Sequence, residues 1–234
     1  MAEKLFSVLE VYRETVPQTA AMNMAIDEAL LEHATLPLIR FYGWKSPALS
    51  FGYFGRFAEV AQYASERDTV RRWTGGGIVF HGEDLTYSLV IPSDDKSFEE
   101  SSMSIYEKVH KALSDVLTRT GRSPVIANDG PSSASSTVPR GAAGADHSCF
   151  ANPVRADVLI DGRKIAGAAQ RRTRRGLLQQ GSIQQVELQV DLREEFAQAL
   201  STRCREQPIH QEIFDRAREL TQQKYAAKTW LRKR

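Results

Sequence analysis

Hydrophobic and polar positions along this chain follow two periods, one typical of strands and one typical of helices. The clearest helical pattern runs from 101 to 119, where apolar residues recur every three or four positions. A second amphipathic helix is expected at 19–33, with Thr19 as its N-cap. Shorter segments rich in β-branched and aromatic residues predict strands. The expected strands are 6–12, 38–43, 48–52, 84–92, 157–160, 164–170 and 176–186, and the remaining expected helices are 57–66, 192–203 and 208–224.

This alternation of strands and helices excludes a simple helical bundle and indicates an α/β fold of the α+β type. The Asp161-Gly162 pair between two expected strands is the signature of a tight β-hairpin. With 234 residues the chain is long enough to bury a full core, and we expect one domain over 1–234. Residues 130–147 are so poor in large apolar side chains that we expect a flexible surface loop there.

The composition is that of an ordinary soluble globular protein. Hydrophobic residues make up 41% and charged residues 26% of the chain, and the formal net charge is +2. The N-terminal residues lack the continuous apolar stretch of a signal peptide, and no stretch approaches the roughly 20 apolar residues of a membrane helix. We therefore expect a cytoplasmic protein without a membrane partner, in which Cys149 and Cys204 are reduced thiols. The histidines and cysteines show no metal-ligand spacing, so no metal site is expected.

Three consecutive glycines follow two arginines in the segment RRWTGGGIVFH, residues 71–81. Glycines permit positive φ angles and let a backbone approach a ligand closely. Exposed N–H groups beside two cations suit a carboxylate or a phosphate. The segment is therefore a candidate ligand loop, whereas the glycines alone would also be explained by a plain turn between two strands.

A lysine at the start of a hairpin strand is the second candidate. Lys164 stands in the segment DVLIDGRKIAGAAQ, residues 157–170, and the small residues Gly167 and Ala169 leave room beside it for a bulky ligand. A cation at this place would stabilise negative charge that develops on an acyl oxygen during transfer. Taken alone, Lys164 is better explained as a solvated hairpin lysine.

Together, the two segments resemble the RRxTGGGxVxHxxDLxYS and GxKIAGxAQ motifs of the superfamily of lipoate-protein ligases, lipoyl (octanoyl) transferases and biotin ligases. The resemblance extends from about Asn23 to Gln185. It implies a mixed, largely antiparallel central sheet flanked by helices, with an acyl pocket between the glycine loop and the Lys164 strand. It also implies that Lys164 contacts the carbonyl or carboxylate end of the acyl ligand as a catalytic residue. The implied substrate-binding residues are Arg71, Arg72, Thr74, Gly75, Gly76, Gly77 and His81, with Gly167 and Ala169 as the pocket wall.

The chain departs from this superfamily at two places. Gly55 stands where many relatives have a glutamine, and Gln180-Gly181-Ser182 stands where many relatives have HG(S/T). Both departures lie outside the two principal motifs.

Cys149-Phe150, just upstream of the expected 157–160 strand, resembles the nucleophilic cysteine segment of LipM-type octanoyltransferases. A cysteine thiolate suits this chemistry because a thioester passes from one thiol to another at little energetic cost. We therefore expect Cys149 to accept an octanoyl or lipoyl group from acyl carrier protein, without a cofactor. The acceptor would be a lysine of a lipoyl domain or of glycine cleavage H protein. The alternative for Cys149 is a small buried apolar residue.

Other activities are compatible with the same motifs. An ATP-dependent lipoate-protein ligase would use ATP and Mg to form lipoyl-adenylate. Such ligases usually have a C-terminal accessory domain, and its absence from this sequence favours the transferase. A biotin ligase is a third possibility, and a non-enzymatic descendant is disfavoured because Lys164 and Cys149 are both present.

Six cations lie between Arg163 and Arg175. They predict electrostatic docking of acidic carrier domains, in which charges at the rim mainly speed the encounter. A solvated strand face is the simpler alternative. A nucleic-acid partner is disfavoured because the whole chain is nearly neutral and no series of aromatic residues is interleaved with the cations.

Overall fold

The structure is a computed structural model that describes residues 4–128, 153–184 and 192–233. Within these residues, two sheets form the framework. The strands are β1 (Phe6–Arg13), β2 (Leu38–Tyr42), β3 (Ala48–Phe51), β4 (Asp68–Arg71), β5 (Ile78–His81), β6 (Leu85–Pro92), β7 (Pro124–Ile126), β8 (Val158–Ile160), β9 (Arg163–Arg172), β10 (Gly176–Ile183) and β11 (Ser201–Glu206). The helices are α1 (Ala20–His33), α2 (Ser102–Arg119), α3 (Leu192–Leu200), α4 (Gln211–Leu220) and α5 (Lys228–Leu231).

The larger sheet has the strand order β11-β1-β2-β6-β10-β9-β8-β7. Strand β1 runs parallel to both of its neighbours, whereas every other neighbouring pair in this order is antiparallel. A smaller sheet with the order β4-β3-β5 contains the strands on either side of the three glycines. The expected mixed, largely antiparallel sheet is therefore confirmed.

Helices cover both faces of the larger sheet. Along β6, Leu89 packs into a cluster with residues of α2 and α3, whereas the next residue, Val90, packs into a cluster with residues of α1 and α4. This follows from strand geometry, since successive side chains point to opposite faces. Both faces are buried, which explains why all eight residues of β6 are buried. The pocket described below lies on the α1 side of the sheet, next to the smaller sheet.

Several local predictions are confirmed. Helix α1 begins after Thr19, whose hydroxyl accepts a hydrogen bond from the Met22 N–H. The predicted hairpin joins β8 to β9, and its two turn residues, Asp161 and Gly162, both have positive φ angles, as a tight hairpin turn of this kind requires. The predicted loop 130–147 lies outside the described residues.

Other local predictions were wrong. Residues 57–66 form two short 3₁₀ turns, Phe57–Glu59 and Ala61–Tyr63, instead of a helix. The helix predicted at 192–203 ends at Leu200, because the next residues pair with the edge of β1 as strand β11. Strands β4, β5 and β7 were not predicted, and each has only three or four residues. None of the helices in the described ranges combines the length and apolar character that crossing a membrane requires.

Candidate functional site

A pocket lies between the glycine loop and strand β9. It has about 430 Å³ of empty space, part of it open to solvent. Gly76 lines it from the loop, and Gly167 and Ala169 line it from β9. Trp44 and Val79 add apolar surface. The glycine loop and the strand that contains Lys164 thus border one slot, as the resemblance implies.

Glycine is required where the loop approaches β9. Gly76 has a φ of +83°, and a Cβ atom built on it would lie 3.2 Å from the Cβ of Ala169 and 3.2 Å from Nη2 of Arg72. A side chain would therefore be strained by the backbone conformation and crowded by both neighbours. The glycine lets the loop lie close against the pocket wall.

Lys164 is buried, with 1% of its side chain exposed, and its Nζ lies 2.8 Å from a carboxylate oxygen of Asp157. The other Asp157 oxygen accepts a hydrogen bond of 2.6 Å from the Tyr106 hydroxyl, which in turn accepts one from the Ala168 N–H. A Cβ atom on Gly167 would lie 2.6 Å from Nζ of Lys164. The amine therefore lies against the backbone of a residue that lines the pocket.

The environment of Lys164 keeps Tyr106 as a hydrogen-bond donor. Burial, followed by the charge of Asp157, raises the pKa of Tyr106 far above its ordinary value. A protonated phenol donates to the carboxylate and so supports the negative charge that faces the lysine. A buried ammonium needs such a carboxylate, because an uncompensated buried charge is strongly destabilising.

A network of hydrogen bonds holds the glycine loop from the side of the smaller sheet. Arg72 donates to the Gly75 and Gly77 carbonyls at 2.9 and 2.8 Å, and to the Ser50 hydroxyl at 2.7 Å. Ser50 is 2.7 Å from Nε2 of His81, whose Nδ1 is 2.8 Å from Asp84. Because the carboxylate can only accept, Nδ1 holds the proton, and Nε2 accepts from Ser50.

His81 is held in place on its ring face as well. The ring stacks on Trp44 with 4.0 Å between centroids. Burial lowers the pKa of His81 below its ordinary value, so the ring is neutral at pH 7. Asp84 also accepts hydrogen bonds from Thr86 and Ser182, which join the histidine to strands β6 and β10.

Another network of hydrogen bonds connects the glycine loop to helix α1. The Thr74 hydroxyl donates to Oε1 of Gln180 at 2.7 Å, and Nε2 of Gln180 donates to Asp27 at 2.7 Å. Asp27 is completely buried and is paired with Arg40 at 2.6 Å. Gln180 is one of the two departures from the superfamily pattern, and its amide supplies both the acceptor and the donor that this connection needs.

Arg71 lies away from the pocket. Its guanidinium is buried and donates to the carbonyls of Tyr53 and Gly55 on one side, and to those of Trp230, Leu231 and Lys233 on the other. The side chain therefore fastens the C-terminal residues to the end of β3. This position differs from that of Arg72, which lines the pocket.

The predicted site residues that the structure describes divide into four groups by position. Lys164 contacts the backbone of the wall residue Gly167 and does not line the pocket itself. Thr74, Gly75 and Gly77 belong to the glycine loop without lining the pocket. Arg71 points to the C-terminal residues instead. Cys149 lies outside the described residues. Those that line the pocket are Arg72, Gly76, His81, Gly167 and Ala169.

Sequence reasoning missed four residues that position these groups: Ser50, Tyr106, Asp157 and Gln180. Asp157 carried a signal, since it opens the segment that contains Lys164 and would be an acid within reach of a hairpin lysine. The other three carry no such signal, because their partners are distant in sequence. Within the described ranges, no group of three or more histidine, cysteine or acidic side chains is arranged to hold a metal ion.

The chain has sequence relatives among octanoyltransferases. An octanoyltransferase LipM of Oceanobacillus iheyensis is 35% identical over 180 residues, which cover 74% of this chain and 62% of that protein. An octanoyltransferase LipM of Geobacillus kaustophilus is 35% identical over 173 residues, covering 70% of this chain and 60% of that protein. The matched part is thus less than two thirds of the length of these relatives.

Solved structures show the same fold. A lipoate-protein ligase A bound with ATP has a TM-score of 0.72 at 22% identity, over 97% of this chain and 98% of that one. A bipartite lipoate protein ligase from Thermoplasma acidophilum has a TM-score of 0.70 at 21% identity, over 96% and 95% of the two chains. The family description "Lipoyl protein ligase A/B catalytic domain" matches residues 19–223. The resemblance inferred from two motifs is confirmed, and the chain belongs to the lipoyl protein ligase A/B catalytic domain family.

Proposed function

We propose that this protein is an acyltransferase that moves an octanoyl or lipoyl group from acyl carrier protein to a specific lysine of a lipoyl carrier domain. The acyl group is held as a thioester on Cys149 between the two half-reactions. The observation that supports this most directly is the pocket itself, where apolar side chains and a glycine loop meet a wall backed by the Lys164 ammonium. The names of the LipM relatives support octanoyl as the group that is moved.

The reaction has two steps that balance without a cofactor. First, the Cys149 thiolate attacks the carbonyl carbon of the donor thioester, and the carrier leaves as a thiol after taking up the proton of the cysteine. Second, the neutral amine of the acceptor lysine attacks the new thioester, forms an amide, and releases Cys149 as a thiolate. The proton lost from the amine restores the thiol.

Lys164 has the charge that both steps need. In each step the carbonyl oxygen becomes negative, and an ammonium fixed beforehand stabilises that charge without reorganising. The Asp157 carboxylate and the Tyr106 hydroxyl fix the position of this ammonium against the Gly167 backbone. The acceptor is a lipoyl domain of a dehydrogenase complex or glycine cleavage H protein.

The test compares two donor routes with the pure protein and a lipoyl domain. The acyl group is supplied either as octanoyl carrier protein or as octanoate with ATP and Mg. The masses of the enzyme and of the lipoyl domain are then measured by mass spectrometry. We expect the lipoyl domain to gain one octanoyl group from the carrier route and the enzyme to show a transient octanoyl adduct on Cys149.

Cys204 provides a matched control for this experiment. It is half-buried on strand β11, and burial raises the pKa of its thiol, so Cys204→Ser should transfer normally. Cys149→Ser should lose both the adduct and the transfer. Full activity of Cys149→Ser would exclude the covalent mechanism, and pyrophosphate release with free octanoate and ATP would favour a lipoate-protein ligase instead.

A further inference from the structure

Cations and aromatic rings are interleaved on the surface beside the pocket. Arg171 lies 5.0 Å from the Tyr53 ring and 4.9 Å from the Trp73 ring. Lys224 lies 4.3 Å from the Trp73 ring, and Lys233 lies 4.6 Å from the Tyr53 ring. We call the surface formed by Tyr53, Trp73, Arg171, Lys224, Trp230 and Lys233 the mouth platform.

The mouth platform borders the pocket on two sides. Trp73 directly precedes the glycine loop, and the Tyr53 N–H donates to the Thr74 carbonyl at 2.8 Å. Arg171 follows Ala169, a wall residue, by two positions on β9. The platform therefore lies beside the loop and the strand that border the slot, where a docked donor could reach it.

The platform is assembled in advance. Arg71 binds three carbonyls of the C-terminal residues, and the Trp230 indole N–H donates back to the Arg71 carbonyl at 3.0 Å. Lys224 is fixed by Glu28. Beside the platform, Phe54 is 85% exposed and packs edge-on against Tyr53. A rigid surface with an exposed aromatic side chain is what a docking site needs, because little side-chain freedom is lost on binding.

The platform has an excess of positive charge. Glu28 pairs with Lys224, but no ion pair joins Arg171 or Lys233 to an acidic side chain within the described ranges. A hydrogen bond from Lys233 and the nearby cations lower the pKa of the exposed Tyr53 phenol, which is a sign of positive potential. A cation over an aromatic ring keeps its charge and can still attract a carboxylate.

We propose that the mouth platform docks the acidic surface of the acyl donor, a carrier protein whose thioester arm then enters the pocket. This inference rests on the proposed function and adds the place where the donor binds. The arm of such a carrier is attached through a phosphodiester, which adds a negative charge close to the protein surface. Arg171 and Lys233 attract these charges and align the arm with the slot.

Charge reversal at two exposed or half-exposed positions tests the proposal. The variant Arg171→Glu/Lys233→Glu is compared with Arg203→Glu/Arg205→Glu, which reverses two exposed charges on β11 at the far edge of the sheet. Each protein transfers octanoyl to a saturating lipoyl domain from octanoyl carrier protein or from uncharged octanoyl N-acetylcysteamine. The KM of each donor is measured at low and high salt, and the KM of the lipoyl domain is measured at a saturating donor concentration.

We expect the platform variant to raise the KM for octanoyl carrier protein about tenfold at low salt, with a smaller effect at high salt. The transfer rate of the platform variant with the uncharged donor should match that of the wild type. The β11 variant should match the wild type with both donors and at both salt concentrations. An unchanged carrier KM would overturn the proposal. An equal loss of transfer rate with the uncharged donor would also overturn it. A rise in the KM of the lipoyl domain in place of the carrier KM would do the same. If the wild type transfers from neither donor, it is the proposed function that fails.

Discussion

Replacing Asp157 with asparagine tests whether the buried ion pair holds the Lys164 amine at the pocket wall. Both side chains are almost completely buried, with 1% and 0% exposed. Removing one partner of such a pair leaves the other charge uncompensated, which costs about 3–5 kcal/mol. A domain of this kind has a total stability of about 5–15 kcal/mol. We therefore expect Asp157→Asn to fold, with a free energy of unfolding lowered by about 3 kcal/mol.

Equilibrium urea unfolding followed by circular dichroism measures this loss. An exposed pair on α2, Lys111 and Asp115, is the matched control, since its side chains are 71% and 51% exposed. Such a pair contributes about 0.3–0.5 kcal/mol, so Asp115→Asn should change little. The double variant Asp157→Asn/Lys164→Met buries no charge at this place and should recover part of the stability. A loss below about 1 kcal/mol in Asp157→Asn, or a double variant as unstable as the sum of the singles, would refute the reasoning.

Three further predictions follow from the site and its surroundings. Gly167→Ala places a Cβ atom 2.3 Å from Cε of Lys164, so the buried ammonium must shift by about 1 Å against Asp157. Transfer should fall about a hundredfold in timed transfer assays, and the free energy of unfolding should fall by about 1–3 kcal/mol in urea titrations because the site is overpacked. Thr74→Val leaves Oε1 of Gln180 without its donor and should lower the free energy of unfolding by about 1–3 kcal/mol in urea titrations, whereas Thr74→Ser should not. His110 is buried, which lowers its pKa to about 4, whereas the unfolded chain binds that proton already near pH 6.5. The free energy of unfolding should therefore fall by up to about 3 kcal/mol as the pH is lowered from about 6.5 to 4. The fall should be smaller in His110→Gln, which has no titrating ring.

Local patterns were sufficient for the features whose partners are near in sequence. The N-cap of α1, the Asp161-Gly162 turn and the amphipathic α2 each depend on residues within a few positions of one another. The position of the two motif segments at the pocket could also be predicted, because their order and spacing are specific to the family. These predictions hold because short-range geometry leaves few alternatives.

The contacts that position the site could not be predicted in this way. Thr74 and Gln180 are 106 residues apart, and Tyr106 and Asp157 are 51 apart. Such pairs meet only when the strand order and the register are known, and a shift of one residue in β10 would turn Gln180 to the opposite face. Arg71 and Arg72 show the same limit: they are neighbours in sequence, but only Arg72 lines the pocket, since successive side chains at the end of β4 point in opposite directions.

The polar residues around the pocket use their hydrogen bonds on one another. Arg72 is bonded to two loop carbonyls and to Ser50, and His81 is bonded between Ser50 and Asp84. The slot between them is therefore lined by groups that already have partners, together with apolar surface such as Trp44. A ligand tail with its own hydrogen-bonding group would have to break one of these internal bonds, at a cost of about 1–3 kcal/mol for the group left unpaired. A saturated acyl tail requires no such exchange, and this difference favours an apolar ligand tail over a polar one of the same size.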